Sequence, residues 1–126
     1  MELKIFKCMH CGNIMEMIDD KGVPVFCCGE PMKQFKAGET EGASEKHLPV
    51  VKAEGDTVSV CVGEVTHPMQ DEHHIAHVWL VTDKGVYRRD LPHTGAPEAT
   101  FRLAADEKAV AVYEFCNLHG LWRTTL

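Results

Sequence analysis

The segment Thr57-Val58-Ser59-Val60-Cys61-Val62 alternates apolar and polar side chains with a period of two residues. This alternation predicts a half-buried β-strand, because successive side chains of a strand point to opposite faces of the sheet. The segment from Ala109 to Phe115 shows the same pattern more loosely. Further short strands are predicted at Ile75 to Val81, Gly85 to Arg89, Ala99 to Leu103 and Leu121 to Leu126.

Turn signals separate these strands. Thr82-Asp83-Lys84-Gly85 has the residue types of a tight hairpin loop between two strands. No convincing amphipathic helix pattern interrupts the series. The sequence therefore predicts an all-β fold, with an immunoglobulin-like β-sandwich of about six or seven short strands.

The first third of the chain differs in character. Residues 1–36 are rich in Cys, Gly and Met and contain only short apolar runs, so this module cannot fold on burial alone and needs a staple such as a metal ion. Residues 37–44 are polar and without periodicity, and they are predicted to form a linker. Residues 45–126 then form the sandwich domain.

Composition limits the function. The chain has 126 residues and a net charge of -6, which argues against a nucleic-acid partner because such partners need a basic surface. No apolar stretch approaches membrane-spanning length, and the N-terminus has no signal-peptide pattern. We therefore expect a soluble, cytoplasmic protein whose cysteines bind metal rather than form disulfides.

The first candidate metal site consists of four cysteines. Cys8-Met9-His10-Cys11 is a C-x-x-C hairpin, and Cys27 and Cys28 form a second pair. Four thiolates in a tetrahedron suit either zinc or a single iron, and the spacing does not distinguish them. Because neighbouring side chains diverge, we expect the turn at Cys27 and Cys28 to be distorted.

The second candidate site contains His47, His67, His73, Cys116 and His119. These residues lie next to predicted strand ends and turns, and the loops at one end of a sandwich converge. A blue-copper site using Met69 is an alternative, but such sites usually take Cys, His and Met in order along one loop, and no Met follows His119. Four imidazoles with one axial thiolate favour iron with an open sixth position.

Three separated motifs resemble one known family, the desulfoferrodoxins, which are two-iron superoxide reductases. Cys8-Met9-His10-Cys11-Gly12-Asn13 and Cys27-Cys28-Gly29-Glu30-Pro31-Met32 look like the desulforedoxin-type module. Glu45-Lys46-His47-Leu48-Pro49, His67-Pro68-Met69 with His73, and Cys116-Asn117-Leu118-His119-Gly120-Leu121-Trp122 look like the neelaredoxin-like catalytic domain. The resemblance covers nearly the whole chain.

The resemblance implies two non-haem irons per chain. Centre I would be held by Cys8, Cys11, Cys27 and Cys28. Centre II would be held by the imidazoles of His47, His67, His73 and His119, with Cys116 as the axial ligand. Glu45 would be the carboxylate that can take the sixth position, and Lys46 the cation beside it. His74 stands where relatives often have an aromatic residue, and the six-residue step from His67 favours His73 as the ligand.

The implied activity is the one-electron reduction of superoxide to hydrogen peroxide, with electrons from a rubredoxin-like donor, in a homodimer. Two alternatives from other classes are a non-catalytic electron carrier of rubredoxin-like or cupredoxin-like type, and a zinc-stabilised binding module. The Glu45-Lys46 pair beside a ligand histidine favours the enzyme over the carrier. The donor set of four histidines and one cysteine exceeds the four ligands of a closed zinc site.

Overall fold

The chain forms two compact units that divide between Lys36 and Ala37. The computed structural model describes residues 2–38 and 44–126. Most of the predicted 37–44 linker, residues 39–43, lies outside the described residues. None of the helices in the described ranges has the length and apolar character needed to cross a membrane.

The N-terminal unit contains short antiparallel strands. They are β1 (Ile5–Lys7), β2 (Ile14–Glu16), β3 (Phe26–Cys27), β4 (Glu30–Pro31) and β5 (Lys33–Phe35). One sheet has the order β2-β1-β5, and β3 pairs with β4. The buried apolar side chains of this unit are Leu3, Ile5 and Cys8. So small a core agrees with the prediction that burial alone does not fold this unit.

The second unit is a β-sandwich. It consists of α1 (Ser44–His47), β6 (Pro49–Glu54), β7 (Thr57–Val62), β8 (Ile75–Thr82), β9 (Val86–Asp90), β10 (Glu98–Arg102), β11 (Ala109–Cys116) and β12 (Gly120–Thr125). Three strands form a sheet of order β10-β7-β6 and four form a sheet of order β12-β11-β8-β9, all antiparallel. This arrangement confirms the predicted all-β, immunoglobulin-like sandwich.

The core lies between the two sheets. In β7 the side chains of Val58, Val60 and Val62 are buried, as the alternation predicted. They meet Phe101 of β10 and apolar residues of β8 and β11, including Leu80, in a single cluster. The hydrophobic effect therefore fixes which face of each strand points inward.

In the sandwich unit, strand ends shift by at most one residue from the predicted positions, and two elements were missed. The predicted hairpin is confirmed, since the N–H of Thr82 donates to the carbonyl of Gly85 at 2.8 Å. Strand β6 was not predicted, and neither was the four-residue helix α1 that begins at Ser44. Helix α1 ends at His47, and β6 pairs with β7, the strand that leads into the loop with His67 and His73. Both elements therefore help to position the second candidate site.

Candidate metal centres

Four cysteine side chains converge in the N-terminal unit. Cys8 follows β1 and Cys11 lies in the turn after it, whereas Cys27 ends β3 and Cys28 begins the next turn. Their sulfur atoms lie within 4.8 Å of one another, and the Sγ atoms of Cys11 and Cys27 are 3.6 Å apart. Two thiolates on one tetrahedral ion, with metal–sulfur bonds of about 2.3 Å, would be about 3.8 Å apart. The cluster therefore fits one four-coordinate metal ion.

The backbone around these cysteines supports the convergence. The N–H of Cys11 points at Cys8 Sγ at 3.4 Å, and Gly12 N donates to the carbonyl of Cys8 at 3.0 Å. Cys28 has a φ of 53°, a left-handed conformation that costs a residue with a side chain about 1–2 kcal/mol. The expectation that the adjacent cysteines distort their turn is confirmed.

The protonation of the four thiols also indicates a cation site. The backbone N–H groups of Cys11 and His10 lower the pKa of Cys8 to about 6. Hydrogen bonding with the sulfurs of Cys11 and Cys8 raises the pKa of Cys28 to about 12. One thiolate is thus stabilised while its neighbour resists ionisation, because negative charges accumulate at one point. A bound cation would compensate that charge and release the protons.

The second cluster lies at one end of the sandwich. His47 ends α1, His67 and His73 lie between β7 and β8, Cys116 ends β11, and His119 lies in the turn to β12. The structure therefore brings together the five residues that the sequence indicated as candidate ligands, with their donor atoms within 4.8 Å of one another.

The four imidazole rings form a square. Going round it, the ring centroids of His47 and His67 are 4.8 Å apart, those of His67 and His73 4.6 Å, those of His73 and His119 5.1 Å, and those of His119 and His47 4.7 Å. Neighbouring rings are nearly perpendicular, with interplanar angles of 71° to 79°. Each ring plane is thus nearly perpendicular to the planes of its two neighbours around a common centre.

The sulfur of Cys116 lies over this square. It is 3.5 Å from His67 Nε2 and 3.8 Å from His119 Nδ1. These two histidines occupy opposite corners, so the sulfur lies over the middle of the square rather than beside one edge. The arrangement is that of four equatorial nitrogens and one axial thiolate.

The donor atoms fit a metal ion. His47 Nε2 is 3.2 Å from His67 Nε2 and 3.1 Å from His119 Nδ1. Two nitrogens at right angles on one ion, each about 2.1 Å from it, would be about 3 Å apart. Among the described residues, His73 Nε2 is buried with no hydrogen-bond partner. A bound cation would satisfy this orphaned lone pair.

The rings are held in the neutral form that a metal needs. His67 Nδ1 donates to the carbonyl of Pro68 at 2.7 Å, which leaves the Nε2 lone pair directed into the cluster. Burial lowers the pKa of His67 to about 4, and burial also lowers that of His73. After burial, the neighbouring imidazoles of His119 and His47 are the next causes of the lower pKa of His73.

The axial cysteine is fully buried. Burial raises the pKa of Cys116, while hydrogen bonds from the backbone N–H groups of Leu118 and His119 lower it. Trp122 forms a wall of the site, because its ring stacks on His47 with centroids 5.0 Å apart and its Nε1 donates to the carbonyl of His119 at 3.0 Å. The thiolate is therefore shielded from water and stabilised by two backbone dipoles.

Glu45 and Lys46 are exposed on α1, directly before His47. They are not among the converging donor atoms. Their helix is tied to the loop after β7, because Val65 N donates to Glu45 O at 3.0 Å and Gly63 N donates to Leu48 O at 3.0 Å. The sequence analysis missed the role of Gly63 in this contact. The one feature that could have indicated it is the position of a glycine directly after a predicted strand.

The structure separates His73 from its neighbour. His74 lies outside the cluster, stacked on His93 with ring centroids 3.9 Å apart. Its N–H donates to Asn117 Oδ1 at 2.9 Å, a contact that the sequence reasoning also missed. Met69 Sδ accepts a hydrogen bond from Ile75 N at 3.3 Å. Its sulfur is engaged there, which disfavours the blue-copper alternative.

Comparisons with known proteins agree with both sites. The chain matches the family models for the desulfoferrodoxin N-terminal domain over residues 1–35 and for desulfoferrodoxin over residues 39–125. It is 45% identical to the desulfoferrodoxin of Nitratidesulfovibrio vulgaris over 122 residues, which covers 97% of this chain and 95% of the relative.

Solved and curated superoxide reductases are also similar. The crystal structure of the superoxide reductase from Treponema pallidum has a TM-score of 0.84 and 43% identity, and the match covers 99% of this chain and all of that chain. The superoxide reductase of Thermococcus kodakarensis is 35% identical over 105 residues, covering 70% of this chain and 90% of the relative. With two family models and a relative matched over almost its full length, the chain belongs to the desulfoferrodoxin family.

Proposed function

We propose that this chain is a superoxide reductase that converts superoxide to hydrogen peroxide by adding one electron. The observation that carries the proposal is the square of four imidazoles with a buried thiolate on one side. Among the described residues, no further Cys, His, Asp or Glu joins this group of donors, so one coordination position is left for a small ligand.

The roles of the five donors follow from their chemistry. His47, His67, His73 and His119 would hold the ion as neutral imidazoles, and Cys116 would hold it as a thiolate. Iron in this donor set supplies one-electron redox chemistry, and a thiolate ligand increases the electron density on the metal. The N–H groups of Leu118 and His119 reduce the electron donation of the sulfur by hydrogen bonding to it.

Lys46 and Glu45 act at the mouth of the site. The chain carries a net charge of -6, which repels an anion at long range, so superoxide needs a local positive charge to approach. Lys46 is exposed on α1 and provides that charge. Glu45, next to it, is proposed as a displaceable carboxylate ligand.

The N-terminal unit is proposed to be an electron-relaying module. Residues 1–36 would hold the second iron through Cys8, Cys11, Cys27 and Cys28, residues 37–44 would be a linker, and residues 45–126 the catalytic domain. The converging sulfurs support the iron site. A rubredoxin-like protein is proposed as the external electron donor, since the reaction consumes one electron per superoxide.

A homodimer and a cytoplasmic location complete the proposal. Ile18, Val23 and Phe26 of the small unit are 91%, 71% and 62% exposed, and such apolar side chains favour contact with a second copy. None of the six cysteines forms a disulfide, which suits a reducing compartment.

The test is the reaction of the anaerobically reduced, iron-loaded chain with superoxide generated by pulse radiolysis. We expect one hydrogen peroxide for each superoxide, no dioxygen, and two irons per chain, one at each centre. Cys116→Ser should abolish the reaction, whereas Cys61→Ser, a matched control on β7, should preserve it. Release of dioxygen, or zinc in both sites, would contradict the proposal.

A further inference from the structure

A stacked pair of imidazoles links the protein surface to the metal-binding loops. The rings of His74 and His93 have centroids 3.9 Å apart and are within 15° of parallel. The side chain of His93 is 58% exposed, whereas His74 is buried. The pair is held in place, because His93 Nδ1 is 3.4 Å from Asp71 Oδ1 and His74 Nδ1 donates to the carbonyl of Gln70 at 3.0 Å. One ring therefore meets solvent and the other is fixed beneath it.

The buried ring is connected to two of the five donors. His74 directly follows His73 in the chain. The backbone N–H of His74 donates to Asn117 Oδ1 at 2.9 Å, and the backbone N–H of Asn117 donates to the carbonyl of His74 at 3.2 Å. Asn117 directly follows Cys116. The stack thus reaches one imidazole ligand through the chain and the thiolate ligand through a hydrogen-bonded peptide.

The stack and the proposed substrate mouth lie at different corners of the square. His73 and His47 are opposite corners, because each neighbours His67 and His119. Glu45 precedes His47 on α1, whereas the stack adjoins His73. A partner bound over His93 would therefore contact the site from the side of His73, whereas Glu45 and Lys46 directly precede His47 in the chain.

The proposed reaction also requires such a partner. Superoxide becomes hydrogen peroxide by gaining one electron and two protons, so a donor must be oxidised by one electron in each turnover. We propose that His93 is the docking point of a small one-electron carrier protein, which passes its electron through the stacked rings of His93 and His74 toward His73 and Cys116. This inference rests on the proposed function and names the partner surface of that site.

The chemistry of the surface indicates the kind of carrier. An exposed ring, rather than a cavity, is presented to the partner, so the partner must carry its redox centre close to its own surface, as a single iron in a four-cysteine site can. The exposed carboxylate of Asp71 beside the ring favours a partner with a cationic side chain at the matching place.

The experiment separates the two half-reactions of the iron-loaded chain. In stopped-flow mixing with reduced rubredoxin, His93→Ala should slow reduction of the oxidised site by about tenfold, the lower end of the effect of outer-shell partners at metal sites. His93→Phe, which keeps a stacked ring, should retain the rate. The control His77→Ala removes a histidine of β8 that is paired with Asp90 at 2.8 Å, and should have no effect.

The reaction of the reduced site with superoxide tests whether His93 has only a structural role. The reaction of the reduced His93→Ala chain with superoxide should proceed at the wild-type rate. Equal slowing of both half-reactions would overturn the proposal, as would unchanged reduction by rubredoxin. If the reduced wild-type chain does not react with superoxide, the proposed function fails, and that result is independent of the His93 comparison.

Docking can also be measured without turnover. The zinc-substituted chain, titrated with zinc-substituted rubredoxin, should show NMR shift changes centred on His93 and Asp71. These changes should be lost in His93→Ala. Shift changes centred instead on α1 or on the Leu118 turn would place the carrier at the substrate mouth and overturn the proposal.

Discussion

Gly63 should be the position at which a single methyl group disturbs the second metal centre. It has a φ of +88°, and an added Cβ would lie 2.4 Å from the carbonyl oxygen of Val65 and 2.7 Å from that of Lys46. Real Cβ atoms do not approach oxygen so closely, so Gly63→Ala must push the loop after β7 away from α1. Because α1 carries His47 and the loop carries His67, the two imidazoles would separate.

The expected loss of stability follows from two effects. A residue with a side chain in the left-handed region costs about 1–2 kcal/mol, and overpacking against fixed backbone costs about 1–3 kcal/mol more. Gly63→Ala should therefore destabilise by about 2–5 kcal/mol. Gly55→Ala is the matched control, because Gly55 has a φ of +60° with nothing within 4 Å of the added Cβ. It should show the first effect alone.

The assay is denaturant unfolding followed by tryptophan fluorescence. Both tryptophans, Trp79 and Trp122, lie in the sandwich unit, so the signal reports that unit. Cobalt binding at the second centre, followed by its visible absorption, reports the ligand geometry. The reasoning is refuted if Gly63→Ala is as stable as Gly55→Ala and binds cobalt with the wild-type spectrum and affinity.

Three further changes probe the same site. Lys46→Ala should slow the reaction with superoxide and weaken its dependence on ionic strength, with metal content unchanged; pulse radiolysis at several salt concentrations checks this, with the exposed Lys52→Ala on β6 as control. In the metal-free chain, burial lowers the pKa of His67 from 6.5 to about 4, so the unfolded chain takes up a proton first. Stability measured by urea unfolding should therefore fall as the pH is lowered from about 6.5 and level off below about 4, and a constant midpoint would count against this. Asn117→Ala removes the side-chain hydrogen bonds to His74 N and Glu72 O and should accelerate release of cobalt to a chelator by about tenfold.

Alternation of apolar and polar residues predicted strands in which one face packs against the core. β7 was found because its buried side chains repeat every second residue. In β11 the looser alternation of residue types still marked a strand, although its residues are buried on both faces from Ala111 to Cys116. β6 was missed because it lies at a sheet edge and only Pro49 at its start is buried, while most of its residues are exposed. Its extended conformation depends on pairing with β7, from Pro49 against Val62 to Glu54 against Thr57. That pairing forms a hairpin around Gly55 and Asp56, and alternation did not reveal it because most of the β6 side chains are exposed.

The residue types of the second site were readable from the sequence, but their arrangement was not. His73 and His74 are adjacent, so spacing alone could only favour one of them. In the structure the choice follows from contacts distant in sequence: Asn117 binds the backbone of His74, and His93 stacks on its ring. With His74 held in this way, the neighbouring His73 side chain turns toward the other donors. Tertiary contacts thus place His73, and not His74, among the converging donor atoms, and neither residue that makes these contacts is one of those donors.

Different interactions hold the strands together at the two ends of the sandwich. At the end opposite the histidines, the carboxylate of Glu107 accepts hydrogen bonds from the hydroxyls of Thr82 and Tyr87 and from Ala104 N. That closure needs only the chain itself. At the other end, His47 and the loop after β7 adjoin one sheet, while Cys116 ends a strand of the other. An ion held by these donors joins the two sheets, because its ligands come from both sides of the core. A metal ion at this end would therefore supply the chemistry and also cross-link the fold. The close approach of Gly63 to the carbonyl oxygens of Val65 and Lys46 keeps the loop after β7 near α1, and so keeps His67 near His47.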